Sequence, residues 1–251
     1  MVAATKNKEK TDKEKKLTFL EHLQEIRRRL VYCVIALIVT VAISFIFTDR
    51  IIHFLISQAT GVDIIFTQPT EMFGVWFKVC LYSALVMALP VFVSQIVMFI
   101  RPALTRKERF YLYTLMPAVL LCFLSGAAFA WYVFLPHALD FLLNFGKGIG
   151  VIPRINIGDL ISFEVQIVFW MGVVFELPMV TFFLSKIGIL NHRWLAKQWK
   201  WAFIGSFIIG AVITPTPDPI NQTIVSVPIF LLYLLGIVTA WLGRRGKKSP
   251  A

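Results

Sequence analysis

Charged residues are scarce in this 251-residue chain, at 16% of the composition, whereas hydrophobic residues make up 58%. A soluble globule of this size needs more polar surface than that to cover its core. The balance therefore excludes a soluble protein and predicts an integral membrane protein.

Cysteine and histidine are also rare, and neither is clustered. The three cysteines, Cys33, Cys80 and Cys122, lie in separate apolar stretches at unrelated spacings. An odd number leaves at least one unpaired in any disulfide scheme, so we interpret them as small core residues. The four histidines lie on separate segments with no His-x-x-x-His or Cys/His cluster. The sequence thus predicts no metal site and no cofactor.

Catalytic motifs are missing as well. The chain has no Gly-x-Ser-x-Gly, His-Glu-x-x-His or Walker motif and no Ser/His pair within an apolar run. The glycine-rich segment 146–150 follows no predicted strand and has no Lys-Ser/Thr after it, so it is not a phosphate-binding loop. Intramembrane proteolysis and ATP hydrolysis both lack their usual groups. We therefore predict that the protein is not an enzyme.

Long apolar runs are what the sequence has in abundance. A helix needs about 20 mostly apolar residues to cross a hydrocarbon core about 30 Å thick. Six runs predict an all-α membrane protein with six transmembrane helices, at 30–47, 72–100, 110–135, 163–184, 199–213 and 224–242. The fifth run is only about 22 Å long as a helix, so we expect short fifth and sixth spans.

Lysine and arginine are unevenly distributed between the loops. Of the 25, 21 lie before residue 30, in 101–109, in 186–200 or after residue 243. Positive residues concentrate in cytoplasmic loops, so we expect a multi-pass protein of the cell (cytoplasmic) membrane with both termini in the cytoplasm. Topology explains the net charge of +11, and nucleic-acid binding is not predicted.

The two ends of the chain are polar and the middle is apolar. We expect a disordered basic tail over 1–17, a six-helix transmembrane domain over 18–242 and a basic cytoplasmic tail over 243–251. Thr18 and Glu21 have the spacing of a capping box that would start a helix.

Connections and bends complete the predicted architecture. Outer loops 48–70 and 136–162 carry apolar residues at helical spacing, which predicts short helices along the outer surface. Segment 214–222 has three prolines and predicts a rigid turn. Prolines within four spans predict bent helices that form a concave wall, at Pro90, Pro117, Pro178 and Pro228.

One acid, Glu176, lies in the middle of the fourth predicted span. A carboxyl at this depth costs about 2.5–3.5 kcal/mol on insertion scales, so it should face a partner, a cavity or a pathway rather than lipid. The residues leave two interpretations open: a contact with another protein, or a proton site in a transporter.

Two further acids, Glu25 and Glu108, lie among basic residues on the predicted cytoplasmic face. Glu25 precedes Arg29 by one helical turn, so it either forms an ion pair within the helix or binds a ligand. Glu108 is flanked by basic residues and would ordinarily be solvated. Both could accept guanidinium groups of a cationic peptide through charge-assisted bonds.

Four segments in order resemble TatC, the multispanning core subunit of the twin-arginine (Sec-independent) protein translocase. They are 22–30, 99–108, 175–178 and 214–222. With six predicted spans in matching order, the resemblance covers 18–242.

The resemblance implies a core and receptor subunit that binds twin-arginine signal peptides of folded cargo. It also implies export driven by the proton-motive force, with TatA and TatB single-span subunits, membrane lipid and other copies of the chain as partners. The implied signal-peptide residues are Glu25, Arg27, Phe99 and Glu108, and the implied groove and partner-contact residues are Glu176, Pro178, Asp218 and Gln222. The alternative is a proton-coupled small-molecule or ion transporter that uses Glu176.

Overall fold

The computed structural model describes residues 2–57, 63–100, 106–144, 154–214 and 219–244. Helices account for nearly all of them: α1 (Val2–Ile56), α2 (Glu71–Ile100), α3 (Arg106–Phe129), α4 (Leu135–Asn144), α5 (Ile157–Val174), α6 (Leu177–Ile187), α7 (His192–Lys197), α8 (Trp199–Ile213) and α9 (Pro219–Arg244). A π-helical turn, Ala130–Phe134, joins α3 to α4. The strands are β1 (Asp63–Ile65) and β2 (Arg154–Asn156). The all-α membrane class is confirmed.

Five helical segments are long and apolar enough to cross a membrane: Leu23–Ile56, Glu71–Phe99, Met116–Asn144, Ile157–Ile187 and Pro219–Gly243. The fourth of these contains both α5 and α6. Helix α8 is apolar but has only 15 residues, about 22 Å, which is less than a hydrocarbon core of about 30 Å. The count of six spans and the direction of the termini stay predictions.

The N-terminal part of α1 differs from what the sequence predicts. The backbone is helical from Val2, through the segment 1–17 that was expected to be disordered. The predicted helix start at Thr18 is therefore wrong. Lysine, glutamate and alanine are good helix formers, and here their propensity matters more than the lack of apolar residues. The division into a tail, a membrane domain and a second tail stays a prediction.

The predicted surface helices are also different, because each continues the span before it. Helix α1 runs on to Ile56, since no proline or glycine interrupts it. Helix α3 continues into α4 through the π turn, in which the N–H of Leu135 bonds to the carbonyl of Ala130. This looser turn comes directly before Pro136, whose ring would crowd a regular helix.

The two strands close one end of the molecule, called here the strand end. β1 and β2 pair in parallel, with Asp63 opposite Arg154. A single side chain fixes this end: Glu71 accepts hydrogen bonds from the N–H groups of Thr67 and Gly158, each at 2.9 Å. Asn156 caps α5 by accepting from the Gly158 N–H at 2.7 Å. The sequence analysis missed both strands, because three residues are too few for an alternating pattern.

The core lies where α2, the π turn, α4 and α5 meet. Its largest fully buried apolar side chains are Phe134, Leu135, Ile161, Ile167 and Met171. Helices α3 and α5 approach closely at glycines, because a Cβ at Gly126 would lie 2.6 Å from the carbonyl oxygen of Met171. This packing fixes the segment that leads into residues 175 and 176.

Helices α6 and α9 are joined by small polar residues. The Thr239 hydroxyl donates to the carbonyl of Pro178 at 2.7 Å, and the Ser185 hydroxyl donates to the carbonyl of Ala240 at 2.6 Å. A Cβ at Gly243 would lie 2.8 Å from the carbonyl oxygen of Phe182, so the backbones are close. Small residues and interhelical hydrogen bonds are how helices associate in lipid, where the hydrophobic effect gives no driving force.

Candidate functional site

An open pocket of about 890 Å³ lies between α1 and α2 at the end of the molecule opposite the strands. We call it the Glu25 pocket. Its polar lining residues are Gln24, Glu25, Arg28, Arg29, Tyr32 and Gln95. Ile35, Ala36 and Val91 line its apolar part. A pocket of this kind can hold both a charged group and the apolar stem beside it.

Glu25 is paired within this pocket. The guanidinium of Arg29 donates from both Nε and Nη2 to the Oε1 atom of Glu25, with the Nε distance at 3.2 Å. The same Nη2 donates to the carbonyl of Met98 at 3.0 Å, which ties α1 to α2. The ion pair between Glu25 and Arg29, which was one of the two interpretations of Glu25 from the sequence, is therefore present. Its role in ligand binding stays a prediction.

The neighbouring arginines have other environments. Arg28 donates to the Tyr32 hydroxyl at 3.3 Å and its guanidinium lies over the Tyr32 ring, so it points along α1 and away from Glu25. Arg27 is exposed. Phe99 is half-buried and directly follows Met98, the residue bonded to Arg29. Glu108 belongs to α3, but its side chain lies outside the described part of the structure.

A second region, the Glu176 groove, is bounded by α2, α3 and α6. It is an open apolar groove of about 460 Å³, lined among others by Val97, Met116, Met179, Phe183 and Ile187. Among its described lining residues, Glu176 is the one with an ionisable side chain.

The backbone explains how Glu176 reaches this groove. Phe175 and Glu176 form a turn between α5 and α6, and Pro178 stands in the first turn of α6. The carbonyl of Glu176 accepts from the N–H groups of Met179 and Val180, at 3.0 and 2.9 Å. Proline has no N–H to continue the helix, so the span breaks here. Glu176 occupies the N-cap position of α6 through its backbone, and its side chain makes no cap hydrogen bond.

The carboxyl group of Glu176 has few polar neighbours. Both oxygens are shielded from solvent and accept no full hydrogen bond from the described residues. Glu176 therefore lies on the groove, and its role in contacting a partner stays a prediction.

Gln222 belongs to a separate place. Its Nε2 donates to the carbonyl of Phe207 at 3.0 Å and joins α9 to α8. It lines a shallow pocket of about 500 Å³ along α8, which contains neither Glu25 nor Glu176. Asp218 lies outside the described residues. The predicted site residues that the structure describes thus fall into three regions, in or beside the Glu25 pocket, at the Glu176 groove and at the α8–α9 pair.

One buried acid, Glu164, was missed by the sequence analysis. It is 0% exposed, and neither of its carboxyl oxygens has a hydrogen-bond partner in the described structure. The fourth span was predicted to begin at Phe163, which would leave Glu164 at its edge. Helix α5 begins at Ile157, so Glu164 lies about two turns inside it. An acid next to an apolar run was the signal that could have revealed it.

No group of three or more His, Cys, Asp or Glu side chains in the described ranges could hold a metal ion. The three regions instead offer a charged pair at the Glu25 pocket and apolar surface along the Glu176 groove and α8.

The family model and the similar proteins found by comparison all indicate the same family. The family model for the Sec-independent protein translocase protein TatC matches residues 21–228. The TatC protein of Carboxydothermus hydrogenoformans is 33% identical over 229 residues, which are 90% of this chain and 94% of the relative. The chloroplastic TATC protein of Arabidopsis thaliana is 31% identical over 94% of this chain and 68% of its own.

A solved structure has the same fold. A crystal structure of the twin arginine translocase receptor TatC superposes with a TM-score of 0.80 at 33% identity, and the match covers 89% of this chain and 100% of that one.

Proposed function

Since this chain belongs to the TatC family of Sec-independent protein translocase proteins, we propose that it is the core and receptor subunit of a twin-arginine translocase. It is a multi-pass membrane protein and a translocase component, not an enzyme. In this role it binds the twin-arginine signal peptides of folded cargo proteins. With TatA- and TatB-type single-span subunits, it exports them using the proton-motive force.

The observation that carries this proposal is the guanidinium already bound to Glu25. An arginine fork contacts this carboxylate at the side of a large open pocket. This contact supports the proposal, because a carboxylate that accepts one guanidinium has the chemistry to accept another. Arg27, Phe99 and Glu108 complete the proposed recognition surface.

The Glu176 groove is proposed as the second contact, reached after the arginines have bound. Its apolar lining matches an apolar helix, either the signal peptide or a single-span partner. Pro178 shapes the groove by breaking the span, and Gln222 and Asp218 support partner docking at α8 and α9. A small-molecule transporter is less favoured, because the other described lining residues are apolar and offer a polar solute no second contact.

The proposed location is the cytoplasmic membrane, with both termini in the cytoplasm. The uneven distribution of lysine and arginine supports this direction. This direction would place the Glu25 pocket on the cytoplasmic side of the membrane, where cargo proteins are synthesised, and the strand end on the opposite side.

A binding experiment tests the receptor role. Detergent-solubilised protein is titrated with a fluorescent twin-arginine signal peptide and with the same peptide carrying two lysines. We expect the arginine peptide to bind more tightly, and Glu25→Gln to remove most of the difference. Equal binding of both peptides to the unmodified protein would refute the receptor proposal.

A further inference from the structure

The carboxylate proposed to receive a cargo arginine already has an arginine bound to it. Both donors of Arg29 that reach Glu25 end on its Oε1 atom. The two side chains are only partly exposed, at 21% for Arg29 and 32% for Glu25. A cargo peptide therefore meets a carboxylate whose charge is already balanced.

We propose that Arg29 is an internal competitor for the cargo arginine, so that binding at Glu25 is an exchange of one guanidinium for another. This inference rests on the proposed receptor function and adds to it a residue that sets the affinity for the cargo. Arg29 does not itself bind the cargo. It is the side chain that a cargo arginine must displace from Glu25.

The geometry allows such an exchange. Because both contacts of Arg29 end on Oε1, the second carboxylate oxygen can receive an incoming guanidinium before Arg29 leaves. Arg29 also keeps a second anchor, since its Nη2 donates to the carbonyl of Met98 at 3.0 Å. That contact does not involve Glu25, so the side chain can give up the carboxylate and remain bound to α2.

The exchange lowers the affinity of every ligand of Glu25 by the same factor. An arginine and a lysine must both displace Arg29, so the free energy of breaking that contact cancels from the ratio of their affinities. Discrimination between them comes from the planar, two-donor approach that a guanidinium makes and an ammonium does not. The competitor therefore weakens binding without changing its preference for arginine.

The chain offers a matched control in Arg28. It carries the same charge as Arg29 and lines the same pocket, but its described contacts are with Tyr32 rather than Glu25. Arg29→Gln and Arg28→Gln remove the same charge from neighbouring positions. Any general electrostatic gain for a cationic peptide is therefore common to both variants.

The experiment titrates the full-length protein and both variants with the twin-arginine and twin-lysine signal peptides at one salt concentration. Because a partly exposed ion pair is lost, we expect Arg29→Gln to bind the arginine peptide about twofold to fivefold more tightly than Arg28→Gln does. The lysine peptide should gain by the same factor, so the ratio of the two affinities stays as it is in the unmodified protein. Arg28→Gln should show only the general electrostatic gain.

Several outcomes would overturn the inference. One is an arginine-peptide affinity of Arg29→Gln that is no higher than that of Arg28→Gln. Another is weaker arginine-peptide binding at an unchanged melting temperature. If Arg29→Gln lowers the melting temperature through loss of the Met98 contact, Arg29→Lys replaces it. That variant keeps the charge and a donor but loses the two-donor contact, so it should also bind both peptides more tightly; unchanged affinities refute the competitor. If the unmodified protein itself does not discriminate, the receptor proposal fails, whereas intact discrimination with affinities that are insensitive to Arg29 refutes the competitor alone.

Discussion

Gly172 of α5 lies against the ring of Phe123 of α3, so closely that a Cβ at residue 172 would come within 2.5 Å of the ring carbon Cε2. The contact lies one helical turn before Glu176 on α5. The close approach of α3 to α5 beside the Glu176 groove therefore requires a residue without a side chain at position 172.

Gly172→Leu should separate α3 from α5 and destabilise the protein. Overpacking of a tight contact costs about 1–3 kcal/mol, and here the obstacle is an aromatic ring fully inside the fold. Thermal unfolding in detergent should show a lower melting temperature. The matched control is Gly205→Ala on α8, where a new Cβ meets no atom within 4 Å. It should be neutral or stabilising by about 0.5–1 kcal/mol, because alanine favours helix. Equal melting temperatures for both variants would contradict the close packing.

The order of the spans could be predicted from the sequence because their signal is local. A run of apolar residues identifies a membrane helix wherever its neighbours lie, and Glu176 stood out within one. The strand pair could not be predicted in this way, because three-residue strands depend on partners far along the chain. Glu164 was missed because the start of α5 is set by the Asn156 cap and Glu71, and not by hydropathy.

Glu71→Ala should loosen the strand end. The carboxylate accepts N–H bonds from Thr67 and Gly158 that connect the β1 segment to the start of α5. The Gly158 N–H keeps its bond to Asn156 and the exposed Thr67 N–H can bond to water, so the loss should be that of ordinary hydrogen bonds, about 0.5–1.5 kcal/mol. We expect a lower melting temperature and faster proteolysis at this end. Asp63→Ala, which removes an exposed carboxylate from β1, should change neither by a comparable amount.

Thr239→Val should weaken the pairing of α6 with α9. The substitution keeps the shape of the side chain and removes the hydroxyl that donates to the Pro178 carbonyl at 2.7 Å. Interhelical hydrogen bonds of this kind contribute about 0.5–1.5 kcal/mol in membrane proteins. The melting temperature should fall with valine and recover with Thr239→Ser. If serine is no better than valine, the hydroxyl does not hold the two helices together.

Glu164→Leu should stabilise the isolated protein. A buried carboxyl group without a hydrogen-bond partner costs free energy, which an apolar side chain of similar size removes. We expect a gain of about 1–3 kcal/mol. Ile167→Ala on the same helix is fully buried as well and should instead lose about 2–5 kcal/mol. A fall in stability for Glu164→Leu would mean that the carboxyl makes a polar contact that the fold needs.

Glu176→Ala should separate peptide binding from export. The acid does not line the Glu25 pocket, so affinity for a twin-arginine peptide should stay as it was. Export of a folded reporter should fall, because the groove loses its one described ionisable group. Binding is measured by peptide titration and export by the reporter's appearance outside the cytoplasm. Loss of peptide binding in a correctly folded variant would show that recognition and the groove are not separate steps.

The parallel pairing of β1 with β2 has a consequence for how the protein is made. The two strands are roughly ninety residues apart, and α2, α3 and α4 form the crossover between them. A ribosome therefore delivers the first strand long before its partner exists, and contacts of such long range form slowly. Until residue 156 has been synthesised and has crossed to the strand end, β1 is an unpaired edge. The closing of this end is thus a late step in folding, and a chain truncated before β2 should be cleaved by protease at β1 more readily than the full chain.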